Sequence, residues 1–247
     1  MLSDAGLIRL QNEDDCLDAP MSGLWAVADG MGGHAFGATA SRLVVEALRE
    51  LLPPLSLAQQ VLDVRTQLQH VNTELRTMAM ARNVAIIGST VVVLTASGDD
   101  CAILWAGDSR AYLLRQGELR QLTTDHRQGS ASIMGDDPHT TYAWQPASSV
   151  NPHAITRAIG AADILFLDDI NVAVEDGDIF LLCSDGLTNE VSDAEIADTL
   201  LPGHCRHAAQ ALIALALQRG GRDNISVVVL AEEDLCSGDL TIVNQAV

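Results

Sequence analysis

Residues 26–34 read AVADGMGGH, an apolar run that stops at a carboxylate, followed by three glycines within four residues, a methionine among them, and a histidine. Asp-Gly pairs are common turn formers because glycine supplies a positive φ at little steric cost, so a tight turn accounts for the stretch taken alone. The other account is chemical: a single acid at the end of a strand, with bare backbone directly behind it. The sequence on either side decides between them.

Immediately downstream, residues 34–52 place Phe36, Ala40, Leu43, Val44, Ala47, Leu48 and Leu51 on one helical face. After Pro53 and Pro54, the residues Leu57, Val61, Val64, Leu68, Val71, Leu75 and Met78 recur four and three apart, the stripe of a second long helix. A pair of antiparallel helices packed on a sheet is expected. Beyond residue 83 the pattern turns to β: AIIGSTVVVLTA (85–96), CAILWAGD (101–108), RAYLLRQG (110–117) and LRQLTT (119–124) read as an antiparallel meander. Residues 126–153 lack periodicity and are rich in Gly, Pro, Ser and His, which predicts a long irregular excursion. A strand follows at DIFLLCSD (178–185), then helical spacing through Ile196, Leu200, Ala208, Ala211, Leu212 and Leu215, then a last strand at ISVVVLAEE (225–233). Helices set in a β-rich frame, without repeat or linker, predict a single α+β layered domain over residues 1–247.

Composition narrows the function. Among 247 residues, 14 Lys and Arg stand against 33 Asp and Glu, a net charge of −19, which argues against nucleic acid or an anionic membrane as partner. The surplus fits a solvated surface or a cation site. Five scattered cysteines with no C-x-x-C pair indicate neither a disulfide framework nor a zinc ribbon, and point to a reducing cytoplasm. The first residues are too polar for a signal peptide, and NVAIIGSTVVVLTA (83–96) is too short and interrupted to span a membrane.

Four acids sit where an apolar strand ends or a glycine turn begins: Asp29, Asp108, Asp185 and Asp223. Acids gathered at one rim of a layered fold repel one another unless a cation lies between them. Mg²⁺ and Mn²⁺ take carboxylate and carbonyl oxygens, and the bare backbone after Asp29 lets the Gly30 carbonyl serve as a further ligand. His34 reads either as a ligand or as a helix-start histidine. Arg9, four residues ahead of Glu13 and five ahead of Asp14, reads either as a surface ion pair within its own loop or as a clamp for a phosphate.

Taken in order, R-x-x-N-E-D (9–14), D-G-M-G-G-H (29–34), G-S-T (88–90), G-D-S-R (107–110), S-D-G-L (184–187) and G-G-x-D-N (220–224) resemble bacterial members of the metal-dependent PPM family, the protein phosphatase 2C-like serine/threonine phosphatases. The resemblance runs from about Ser3 to Leu230. It implies an α-β-β-α sandwich of two central antiparallel sheets flanked by helix pairs. It further implies two Mn²⁺ or Mg²⁺ ions bridged by Asp29, with the Gly30 carbonyl on one and Asp185 and Asp223 on the other. Glu13 and Asp14 would orient metal-bound waters, and Arg9 would hold the substrate phosphate. Asp108 with Asp185 matches the place of a third, weaker ion. The implied reaction is hydrolysis of phosphoserine and phosphothreonine by a metal-bridging hydroxide, on phosphoproteins made by a cognate serine/threonine kinase.

The chain departs from part of that family. Met31 stands where some members carry a histidine proposed as general acid, so His34 or a metal-bound water would have to substitute. Residues 126–153 occupy the place of the flap that helps select substrates, without its usual helical pattern. Few residues precede Ser3, where relatives begin a strand. The phrases IGSTVVVL and LWAGDSR are most similar to phosphatases associated with type VI secretion. A PPM-like pseudophosphatase that only binds phosphoproteins is the alternative; it should have lost a core aspartate, and none is missing. A nucleotide-binding loop is excluded because no G-x-x-x-x-G-K-[ST] occurs.

Overall fold

The computed structural model describes residues 1–32, 36–53, 55–128, 154–232 and 235. His34 and all but the first three residues of the expected excursion at 126–153 lie outside the described residues. The strands are β1 (Leu2–Asp4), β2 (Asp14–Ala19), β3 (Leu24–Met31), β4 (Gly88–Ser89), β5 (Val91–Ser97), β6 (Asp100–Ala106), β7 (Arg110–Arg115), β8 (Glu118–Gln121), β9 (Asp168–Ala173), β10 (Ile179–Cys183) and β11 (Ile225–Ala231). The helices are α1 (Phe36–Arg49), α2 (Leu57–Arg82), α3 (Asp185–Thr188), α4 (Asp193–Leu200) and α5 (Cys205–Gln218). None of the described helices is long and apolar enough to cross a membrane.

One sheet has the order β1-β11-β10-β7-β8, and the other β2-β3-β5-β6-β9 with β4 paired to β3. Every pairing is antiparallel. Period-two alternation builds four layers from these strands. Trp25, Val27, Val92 and Leu94 meet Phe180, Leu182 and Val228 between the sheets. Their neighbours Leu24, Ala26, Val91 and Val93 turn outward onto Val44, Leu48, Leu68 and Leu75 of α1 and α2. On the far side, Leu181, Cys183 and Val227 pack against Leu187, Ile196 and Leu212 of α3, α4 and α5. The sandwich is therefore α-β-β-α. Strands buried on both faces read as unbroken apolar runs, which is why the sequence shows them so clearly.

The α1 and α2 stripes fall where their spacing predicts, whereas α5 buries Ala208, Ala209, Leu212, Ile213 and Ala216 and leaves Ala211 exposed. Val64, Leu68, Val71 and Leu75 of α2 are buried, Ser56 caps its start by accepting from the Gln59 N–H at 3.2 Å, and Asn83 closes it in the left-handed region at φ 53°. Four expectations need correction. The Asp29-Gly30-Met31 stretch is not a turn: β3 runs on through it because β4 supplies ladder partners, Gly30 to Ser89 and Met31 to Gly88. The meander is not one sheet, since β5 and β6 lie in one and β7 and β8 in the other. The chain crosses between them at Gly107, whose φ of 116° favours glycine and whose absent Cβ leaves room for the Thr90 side chain. β9 adds an edge strand beyond those the sequence predicts, because its acids and half-exposed position break the apolar run. Finally, the few N-terminal residues still form β1 against β11.

Candidate active site

The end of β3, the start of β5, the β6–β7 crossover and the facing ends of β10 and β11 come together at one pole of the sandwich, tied by short polar bonds. The Thr90 N–H donates to the Asp29 carbonyl at 2.8 Å. The Thr90 hydroxyl accepts from the Asp29 N–H at 3.2 Å and shares a 2.7 Å bond with the Ser109 hydroxyl. Ser109 follows Asp108, so one small network fixes two of the four aspartates.

The other two come from the opposite sheet. Asp185 opens α3 directly after β10, and Gly186 must be bare because a Cβ there would stand 1.9 Å from the Asn224 carbonyl oxygen. Asp223 follows Gly220 and Gly221, both at positive φ, and its Oδ1 accepts from the Asn224 N–H at 2.9 Å. Asn224 in turn clamps the N-terminal loop. Its Oδ1 accepts from the Glu13 N–H at 2.8 Å, and its Nδ2 donates to the carbonyls of Ala5 and Gln11 at 2.9 and 3.0 Å. Glu13 and Asp14 thus reach the rim, and Asp14 pairs directly opposite Asp29 in the β2–β3 ladder.

The electrostatics are those of crowded acid. Burial first, then the charges of Asp14, Asp185, Asp108 and Asp223, holds the Asp29 carboxyl well above the usual carboxylate range. Burial pushes Asp14 up to about 7, with Asp185 and Asp223 adding to it against hydrogen bonds from Ser226 and Ser184. Asp185 is pushed up to about 6 by burial and Asp108, while Arg127 opposes the rise. Such a site needs positive charge, from protons or from a cation, before its acids can sit together.

Arginines meet part of that demand. Arg9 does not pair within its own loop; its Nη2 donates across the rim to Asp223 Oδ2 at 2.7 Å. Arg127 donates from Nε to Asp108 Oδ2 at 2.6 Å and from Nη2 to Asp185 Oδ2 at 2.9 Å. Arg110 of G-D-S-R points away and grips both oxygens of Asp125 at 2.8 Å. Among the described residues, no three His, Cys, Asp or Glu side chains stand close enough together to enclose an ion.

The donor set nonetheless suits a hard divalent cation on the Asp29 side. Every candidate ligand among the described residues is oxygen. Asp14 Oδ1 is buried without a hydrogen-bond partner among the described residues. A Cβ on Gly37 would stand 2.8 Å from both the Gly30 carbonyl oxygen and Glu13 Oε1, so two acceptors converge on a place kept bare. Gly30 itself admits no side chain, because its Cβ would meet the Gly37 carbonyl oxygen at 2.1 Å.

The structure therefore gathers Arg9, Glu13, Asp14, Asp29, Gly30, Asp108, Asp185 and Asp223 at one pole. Sequence reasoning gave no role to Asn224, Ser184 or Arg127. Ser184 donates to Asp14 Oδ2 at 2.8 Å and accepts from the Ser226 N–H at 3.0 Å, fixing that carboxylate. Ser184 and Asn224 were visible within the quoted S-D-G-L and G-G-x-D-N motifs, whereas Arg127 had no local signal.

The family model of protein phosphatase 2C matches residues 9–218. The chain belongs to the protein phosphatase 2C family. Among its relatives is the serine/threonine protein phosphatase PstP of Mycobacterium tuberculosis, 34% identical over 233 residues, an alignment covering 92% of this chain. The same alignment covers 43% of PstP, so this protein phosphatase 2C family chain spans less than half of that relative's length. Among solved structures, PppA, described as a key regulatory component of T6SS in Pseudomonas aeruginosa, matches with a TM-score of 0.84 at 41% identity, over 93% of this chain and 95% of its own. The catalytic domain of PstP in complex with two manganese ions matches with a TM-score of 0.77 at 35% identity, over 92% of this chain and 94% of its own.

Proposed function

We propose that this chain hydrolyses phosphoserine and phosphothreonine esters in proteins, with Mn²⁺ or Mg²⁺ held by Asp29, the Gly30 carbonyl, Asp185 and Asp223. The observation that carries the reading is the Asp29 carboxyl, which burial and four surrounding carboxylates make a poor anion unless a cation joins it. The two manganese ions of the PstP structure support the kind and number of ions in this reading. When bound, such an ion pair lowers the pKa of water to supply a nucleophile and offsets charge on the phosphoryl oxygens.

The chain's own residues do the rest. Arg9 is half exposed at the rim and offers paired N–H donors that match a phosphate monoester. Asn224 holds the Glu13 backbone and Ser184 holds the Asp14 carboxylate, so Asp14 offers a water-proton acceptor at a fixed place and Glu13 reaches the same rim. Met31 carries no ionisable proton, so the serine or threonine leaving oxygen draws its proton from another donor. We further assign the chain to the cytoplasm, opposing a serine/threonine kinase, and to type VI secretion, the last of these supported by its likeness to PppA. Residues 1–247 form one catalytic domain in this reading, and residues 126–153 select the phosphoprotein.

Hydrolysis of a phosphothreonine peptide tests the proposal. Phosphate release that needs Mn²⁺ or Mg²⁺, stops on chelation and resumes on metal addition is the expected result. Full activity after exhaustive metal removal contradicts it, and peptide binding without phosphate release would mark a pseudophosphatase.

A further inference from the structure

We propose that Arg127 is the built-in cation of the Asp108–Asp185 pair, and that this chain therefore holds two metal ions where the resemblance allowed three. The inference rests on the two-ion reading above. A third ion at this pair would need carboxylate oxygens from Asp108 and Asp185, and the Arg127 guanidinium bonds one oxygen of each, at 2.6 and 2.9 Å. Asp108 Oδ1 stays buried without a hydrogen-bond partner among the described residues, so exclusion rests on the charge and place of the guanidinium between the two carboxylates. Its charge is permanent, since guanidinium does not deprotonate in proteins.

Three features make this a fixed arrangement instead of a passing surface pair. The side chains are enclosed: Arg127 is 14% exposed and Asp108 only 3%. The Arg9–Asp223 pair differs, its side chains being 52% and 35% exposed, so water and substrate can compete for it. The Arg127 backbone is also pinned. It forms a bridge to Ile155, and the flanking Thr156 N–H donates to the His126 carbonyl at 2.7 Å while the Gln128 N–H donates to the Ala154 carbonyl at 3.0 Å. Beneath that bridge, Asp168 of β9 takes bonds from His126 at 3.1 Å and from Arg157 at 2.5 Å. Displacing Arg127 would leave a buried guanidinium and a buried carboxylate to find new partners together.

Counting bound Mn²⁺ per chain by electron paramagnetic resonance titration tests the proposal without reference to turnover. Wild type and R127K, which keeps a cation, should saturate at two ions even at millimolar Mn²⁺. R127A should take up a third ion, bound at least tenfold more weakly than the first two, and the double variant R127A/D108N should return to two. Three ions in wild type, or no gain in R127A, overturns the proposal. Should R127A not fold, the wild-type count of two or three decides alone. No ion bound by wild type would overturn the two-ion reading as well, which separates failure of that reading from failure of this one.

Discussion

The two sides of the acidic rim solve the same problem differently. On the Asp14–Asp29 side, two carboxylates face each other across the β2–β3 ladder, and among the described residues no arginine bonds either. On the Asp108–Asp185 side, two carboxylates share Arg127. Both sides are crowded with acid, yet only the second brings its own counter-charge. On the two-ion reading proposed above, Asp108 carries negative charge at a strand end without being a metal ligand, and what else reaches a carboxylate from elsewhere in the chain matters as much.

The contrast is broken most severely by neutralising the side that lacks an arginine. Asp29→Asn should lower kcat about 10³-fold, the order expected when several kcal/mol of transition-state stabilisation by metal is lost. Circular dichroism and melting of the metal-free variant should show an intact fold, since a charge has left a repulsive cluster. Near-normal turnover would remove Asp29 from the site.

Arg127→Ala attacks the other side. It strands the buried Asp108 carboxylate, and the metal-free variant should lose about 3 kcal/mol in denaturant unfolding, as when one partner of a buried pair is deleted. Added Mn²⁺ should return part of that loss in the variant beyond what it gives wild type. An unchanged unfolding midpoint would make the pair ornamental.

Arg9→Ala is milder, because its pair is exposed. Stability should change by less than about 1 kcal/mol, while the phosphosubstrate loses a charge-assisted bond worth about 1.5–3 kcal/mol, read as a raised KM at constant metal affinity. Weaker Mn²⁺ binding with KM unchanged would make Arg9 a support of Asp223.

The smallest effect belongs to the base of the Arg127 bridge. The His126 hydrogen bond first, then Arg157, holds the Asp168 carboxyl below its usual range. Its contribution is complete above the unfolded-state value near 3.9 and fades as pH falls through the lower folded value. Wild type should thus exceed Asp168→Asn in stability by under about 1 kcal/mol at neutral pH, with the gap closing in acid well below pH 4. A gap that widens on acidification would contradict the assignment.

Much of this could be read from the chain. The α1 and α2 stripes were legible because a helix lying on a sheet must repeat its apolar residues every three to four positions, and Val44, Leu48, Leu68 and Leu75 do so. Asp29, Asp185 and Asp223 stood out through the glycines beside them, which the structure needs where backbones meet closely, as at Gly30 and Gly186. Sheet membership was not legible. Strands β6 and β7 differ little in pattern, and only the conformation at Gly107 sends them into separate sheets. Arg127 was illegible for a related reason: its partners lie 19 and 58 residues away, so no local spacing announces the pair.

A crystal of the wild-type chain soaked in Mn²⁺, with anomalous difference density measured at the manganese edge, tests the central contrast directly. Two peaks are predicted, both against Asp29 and reaching Gly30, Asp185 and Asp223, with Arg127 still bonded to Asp108. A peak between Asp108 and Asp185 with Arg127 turned away, or no peak at Asp29, would contradict it.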